Sequence, residues 1–137
     1  MPVPFHPRQG CVLICDFEGL RVPEMTKRRP VVVVSPKLRS RRRLCCVAPL
    51  STTDPDPISK FHCYIEFDPL LPAPYDSRHM WVKADMIYTM SLDRMNMPFY
   101  KDESGRRQYV EHYLTEDQFK IVTGCVLEGL GLGHLKN

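Results

Sequence analysis

At 137 residues, with 43% hydrophobic and 26% charged side chains, the chain has the make-up of one globular domain over 1–137, large enough to bury a core without disulfide or metal staples. No apolar run approaches the roughly 20 residues that cross a bilayer, and residues 1–8 lack the apolar centre of a signal peptide, so the expectation is a cytoplasmic protein with no membrane partner. The net charge of +3 is unevenly spread: Lys37, Arg39, Arg41, Arg42 and Arg43 stand together without an acid, and Arg21, Lys27, Arg28 and Arg29 lie just upstream.

Residues 1–9 are proline-rich and read as extended, and Gly10 opens a strand over 11–17. Loop 18–28, with Gly19 and Pro23, is too polar for a core. It carries Glu24, Lys27, Arg28 and Arg29 into Pro30-Val31-Val32-Val33-Val34-Ser35, the most apolar strand of the chain. Four consecutive β-branched residues resist helix and suit a strand covered on both faces. A charged loop fixed to such a strand is where binding and catalysis concentrate. The basic turn 37–43 joins it to a third strand over 44–50, an antiparallel pair. A run of cations is most simply a solvated loop. One this rich in arginine, whose fork matches phosphate oxygens, points to a phosphate-binding surface.

Ser51-Thr52-Thr53-Asp54-Pro55-Asp56-Pro57 is a second loop, dense in hydroxyls and turn residues. A fourth strand covers 61–67, and Pro69, Pro72 and Pro74 mark the loop after it. A short fifth strand runs over 81–84 and is read as continuing through 85–92, with a helical turn starting at Ser91. Gly105 turns the polar segment 101–107, and 107–110 forms a last edge strand. Only the C-terminal segment reads as helix. Thr115 and Gln118 make a capping box, and Glu116 and Asp117 suit the first turn. Phe119, Val122, Val126 and Leu130 share one face, and Gly129, Gly131 and Gly133 end it. Short strands at regular intervals with one terminal helix define a mainly β (α+β) chain, a small, strongly curved antiparallel sheet or barrel.

The six cysteines, Cys11, Cys15, Cys45, Cys46, Cys63 and Cys125, include no Cys-x-x-Cys pair, so zinc is not expected and no other cofactor is indicated. Those in apolar strands pack as small hydrophobes and stay reduced. Trp81 and Tyr64 have a core role as their simplest reading, with stacking on unpaired bases as the alternative. Met86, Met90, Met95 and Met97 either fill the core or face a partner.

Three segments together resemble a known family. Gly10 with the strand ending Asp16-Phe17, then Glu24 through Arg29-Pro30-Val31-Val32-Val33-Val34-Ser35-Pro36, is similar to the N-terminal signature of the PemK/MazF toxins. The likeness continues through Val47-Ala48-Pro49-Leu50-Ser51-Thr52-Thr53 and Lys83-Ala84-Asp85-Met86, with the spacing intact over roughly residues 10 to 130. The resemblance implies a small SH3-like barrel of the CcdB/PemK type with a C-terminal helix, usually a symmetric homodimer. It implies an endoribonuclease that cuts single-stranded RNA, mRNA included, at short sequences. It also implies a cognate antitoxin whose disordered tail covers the RNA site.

RNA cleavage without a metal uses the ribose 2′-hydroxyl as nucleophile. It needs a base, an acid for the departing 5′-oxygen, and cations on the phosphorane. The resemblance puts Arg29 on the scissile phosphate. Ser51, with Thr52 behind it, stands at the family's threonine position, where a hydroxyl holds a phosphate oxygen or orients the 2′-hydroxyl. Lys83 and Asp85 stand where part of the family has an arginine–aspartate acid–base pair; lysine, a point charge, departs from that pattern. Two apart on one strand, they would share a face. Glu24 is the rival base. Lys27, Arg28, Lys37, Arg39, Arg41, Arg42 and Arg43 are the expected RNA contacts. His62 and His79 fall on no family motif and read as structural. A non-cleaving nucleic-acid-binding barrel, RNA or DNA, and a topoisomerase-directed poison are the competing readings.

Overall fold

The valine strand lies inside the sheet. In the computed structural model, which describes residues 3–37 and 39–136, Val31, Val32 and Val33 have no exposed surface. They belong to β2 (Arg29–Val33), which lies between β1 (Cys11–Cys15) and β3 (Leu44–Ser51). Side chains alternate along a strand, so the valines divide between two cores. Val32 joins Val12, Ala48 and Leu50 on one face. Val31 and Val33 join Leu13, Cys15 and Val47 on the other.

The remaining strands are β4 (His62–Glu66), β5 (His79–Lys83), β6 (Tyr88–Ser91), β7 (Met95–Asn96), β8 (Phe99–Lys101), β9 (Arg107–Tyr109) and β10 (His112–Tyr113). The main sheet is antiparallel, in the order β10-β1-β2-β3-β5-β4. Strands β3 and β1 each change partner along their length. The first half of β3 pairs with β6 and its last two residues with β5. The start of β1 pairs with β10 and its end with β7. Changing partners along a strand curls the sheet into a half-barrel. Strands β8 and β9 form a separate hairpin. Gly10 makes the entry to β1: at φ +87° its N–H reaches Val33 O and its carbonyl accepts from Leu114 N.

Helix α1 (Glu116–Gly129) closes the first core with Val122 and Cys125 buried, and Phe119 and Val126 packed against it. The expected capping box is present: Gln118 N donates to Thr115 Oγ1 at 3.1 Å and Thr115 N to Gln118 Oε1 at 3.0 Å. Leu130 departs from expectation, since it is the helix C-cap and 55% exposed. The stretch 85–92 is not a continuation of β5. Met86 N bonds Lys83 O in a turn, and β6 then pairs with β3 instead. A 3-10 turn, Leu92–Arg94, does follow, capped by the Ser91 hydroxyl. Met90 and Met95 are buried in the second core with Met86 and Met97 against it, so the methionines fill the interior. All six cysteines are free, and burial pushes the Cys15 and Cys45 thiols up to about 12. Among the described residues no helix is long and apolar enough to cross a membrane.

Candidate functional site

The pairing of Val31 with Pro49, carried two residues further, sets Arg29 opposite Ser51. Their side chains meet there, with Arg29 Nη1 donating to Ser51 Oγ at 3.4 Å. Ser51 is 4% exposed, the one buried polar side chain among the described residues. Its oxygen also accepts from Thr53 N at 3.1 Å, which folds the following loop back on the strand end. Arg29 Nε is enclosed and, among the described residues, is the one buried side-chain nitrogen or oxygen without a partner. Leaving a buried donor unpaired costs about 1–3 kcal/mol. The guanidinium, anchored on Ser51 and lining a cleft, has the planar fork suited to a tetrahedral oxyanion. With Arg28, Thr52, Tyr75 and Ser77, this pair lines a cleft of about 170 Å³.

Loop 18–28 stands beside the cleft and is pinned at Met25. That side chain is buried, and its N–H donates to Tyr88 Oη at 3.0 Å. Glu24 does not pair with Arg29. Its carboxylate accepts from Arg21 N at 2.8 Å and closes a turn within the loop. Lys27 is exposed. Arg28 is fixed by Asp16 at 3.1 Å and Asn96 Oδ1 at 3.4 Å.

Lys83 and Asp85 do not share a strand face. Strand β5 ends at Lys83, and Asp85 lies in the turn beyond, on which the last helical turn rests. Asp85 Oδ1 is 4.0 Å from His62 Nε2, and His62 stands opposite Lys83 in the β4–β5 register. The His62 Nδ1 accepts from Ser59 N at 3.0 Å. Burial lowers the His62 pKa, with Asp85 opposing that shift. Lys83, Asp85 and His62 thus make a second polar group along the sheet. Neither they nor Glu24 line the Arg29 cleft.

The basic run 37–43 connects the end of β2 to the start of β3, whereas Arg29 begins β2 and Ser51 ends β3. At about 3.3 Å per residue, the strands hold these two cationic groups at opposite ends. Lys37, Arg41 and Arg42 are exposed. Arg43 is a clasp, bonded to Asp93 at 2.6 Å and to Val3 O at 3.3 Å. The Arg39 side chain lies outside the described residues.

The core role expected for Trp81 and Tyr64 is corrected. Met80, Val82, Cys63 and Ile65 are the inward residues of β5 and β4. Alternation therefore turns His79, Trp81, Lys83 and Tyr64 outward. Parity along the 61–67 and 79–84 segments was the available signal.

The curled antiparallel sheet with a C-terminal helix is a MazF-type fold. MazF of Deinococcus radiodurans superposes with a TM-score of 0.61 at 20% identity, over 93% of this chain and 98% of that one. An endoribonuclease from a mycobacterial species, solved in complex with its cognate antitoxin, gives 0.54 at 20% identity over 93% and 95%. Residues 8–128 match the PemK-like, MazF-like toxins of type II toxin-antitoxin systems, and the chain belongs to this family. Uncharacterized protein YifN of Escherichia coli (strain K12) is 31% identical over 115 residues, 70% of this chain and 76% of YifN.

Proposed function

We propose that this protein is a toxin endoribonuclease that cuts single-stranded RNA by 2′-hydroxyl attack, without a metal. The guanidinium of Arg29, fixed by the buried Ser51 hydroxyl and lining a small cleft, is the observation that carries the reading. In this scheme Arg29 holds the nonbridging oxygens of the scissile phosphate while Ser51 fixes the guanidinium. Thr52 offers a second hydroxyl at the rim. The 2′-oxygen bonds to phosphorus as its proton passes to a base, the bond from phosphorus to the 5′-oxygen breaks, and an acid protonates that oxygen. The products are a 2′,3′-cyclic phosphate and a 5′-hydroxyl. Glu24 and Asp85 are the rival bases, and Lys83 is the proton donor or an electrostatic clamp.

Arg28, which lines the cleft, and the exposed Lys27 before it in the chain suit the adjoining phosphates. The run of Lys37, Arg39, Arg41, Arg42 and Arg43 adds long-range attraction for a polyanion. In this reading the toxin acts as a homodimer and is silenced by an acidic cognate antitoxin, whose charge suits the basic loops. The test is incubation with single-stranded RNA in EDTA. Cleavage leaving cyclic phosphate ends is expected, and Arg29→Ala should abolish it. A second reading, a non-cleaving nucleic-acid-binding barrel, is favoured by the absence of Glu24, Lys83 and Asp85 from the Arg29 cleft. RNA that is bound with a steep salt dependence but left intact would select it.

A further inference from the structure

The row of residues that holds Arg29 and Ser51 continues across the sheet. Ser51 pairs with Trp81 on β5, and Trp81 pairs with Tyr64 on β4. Cross-strand partners project on the same side. The row therefore passes from the guanidinium to a hydroxyl and on to two aromatic rings. Strands lie about 4.8 Å apart, which brings Trp81 one spacing and Tyr64 two spacings from Ser51.

These rings form an open stack rather than a core. Tyr64 is 55% exposed. Its ring lies parallel to His79 at 4.9 Å and 10°, and tilted against Trp81 at 4.7 Å and 40°. The Trp81 indole N–H is already satisfied by Asp54 Oδ1 at 2.8 Å. Asp54 belongs to the loop that leaves Ser51, so the indole is held by the same segment that builds the cleft. Flat rings in a row, beside a group suited to phosphate, match the two halves of a nucleotide.

We infer that Tyr64, Trp81 and His79 form a stacking platform for an unpaired base of the RNA strand, one flanking the phosphate held at Arg29. The inference rests on the proposed ribonuclease reading for the identity of that phosphate. Stacking tolerates any base because every base has a π-face. The platform therefore secures the strand and sets its register, and sequence choice falls to other contacts.

Trp81 is the one tryptophan of the chain, so its fluorescence reports on the platform directly. The probe is a randomised pool of 2′-O-methyl RNA ten-mers, which cannot be cut by 2′-hydroxyl attack. Binding is followed in parallel by anisotropy of an end label. Saturable quenching of Trp81 is expected. Tyr64→Ala and Tyr64→Leu should both weaken binding by about 5- to 100-fold, while Tyr64→Phe keeps it. Leucine retains apolar area without a π-face, which separates stacking from simple packing, and unchanged thermal melting of Tyr64→Leu guards against misfolding. Unaltered Trp81 emission at saturation, or full affinity in Tyr64→Leu, overturns the platform. So does a change of oligomeric state in Tyr64→Leu with RNA affinity preserved, which would make this face a contact between copies. Wild-type cleavage with no Tyr64 effect would sink the platform alone. Quenching and Tyr64 dependence without any cleavage would sink the ribonuclease reading alone.

Discussion

Arg29 and Ser51 face each other across β2 and β3, and the serine hydroxyl accepts both from Arg29 Nη1 and from the Thr53 backbone. The contact orients a guanidinium whose buried Nε has no partner among the described residues. Lysine at position 29 would keep the charge but lose the planar fork and the bond geometry to Ser51. Arg29→Lys should therefore lower kcat by roughly 10²–10³-fold, the scale for removing one transition-state donor. The measurement is single-turnover cleavage of a labelled RNA. A variant within a few-fold of wild type would show that charge alone suffices.

Ser51→Ala tests the same pair from the other side. Alanine leaves Thr53 N and Arg29 Nη1 without the acceptor that Ser51, itself 4% exposed, supplies. The expected loss of stability is about 1–3 kcal/mol, read from urea unfolding. Cleavage should fall as well, because the guanidinium is no longer fixed. A variant as stable as wild type would mean that water replaces the hydroxyl.

Loop 18–28 is held at several points, and the bond from Met25 N to Tyr88 Oη at 3.0 Å is one of them, beside Arg94 Nη1 to Glu18 O at 2.8 Å. Tyr88 also packs on Phe17 with ring centroids 5.2 Å apart. Tyr88→Phe keeps that packing and removes only the acceptor. It should cost about 1 kcal/mol and speed hydrogen exchange at the Met25 amide about fivefold. Unchanged exchange there would show that the loop is held by side-chain burial instead.

Much of this arrangement was legible in the sequence because it rests on local chemistry. The valine run marks an inner strand through β-branching alone, and Thr115 with Gln118 marks the helix start through two local hydrogen bonds. The Arg29–Ser51 meeting was approached only through motif likeness, because register between strands depends on turns that cannot be folded by eye. Lys83 and Asp85 do not share a strand face because the chain turns directly after β5, where Met86 N bonds Lys83 O, and nothing local in Lys83-Ala84-Asp85 marks that turn. The basic run at 37–43 looked continuous with Arg29, being close in sequence, but the length of β2 and β3 separates them. Strands β8 and β10 are two or three residues long, too short for any alternation to appear.

Two histidines should give the fold an acid-sensitive step. Burial lowers the pKa of His112 below its usual 6.5, with its ring 5.3 Å from Phe67. Burial also lowers that of His62, against the opposing pull of Asp85. Below pH 6.5 the unfolded chain binds more protons at these sites than the folded one, so stability rises with pH in that window. Their contribution is complete above about pH 6.5 and is lost as pH falls beneath it. Thermal melting from pH 8 to 5 should be flat at first and then decline. His112→Gln should flatten the decline and Asp85→Asn should steepen it. A melting curve that drops only in the carboxylate range would contradict this assignment.

Two helical glycines should respond in opposite ways to the same substitution. Alanine is favoured over glycine in a helix by about 0.8–1.0 kcal/mol. At Gly124 an added Cβ would meet, among the described residues, the Lys136 side chain, Cδ at 3.3 Å and Cγ at 3.9 Å, the middle of a flexible chain. At Gly129 it would meet backbone: Asp85 Cα at 3.0 Å, with Ala84 O and Asp85 N at 3.2 Å. That turn is fixed by β5 on one side and by the helix on the other, so it cannot yield without shifting Asp85 relative to His62. Overpacking of this kind costs about 1–3 kcal/mol, enough to cancel or exceed the propensity gain. Gly124→Ala should melt at or above the wild-type temperature, and Gly129→Ala below it by up to about 8 °C. Because the strain falls on Asp85, Gly129→Ala should also alter the pH dependence that Asp85 imposes on His62, whereas Gly124→Ala should not. Equal melting of the two variants would show that the helix slides over the turn instead of resting on it.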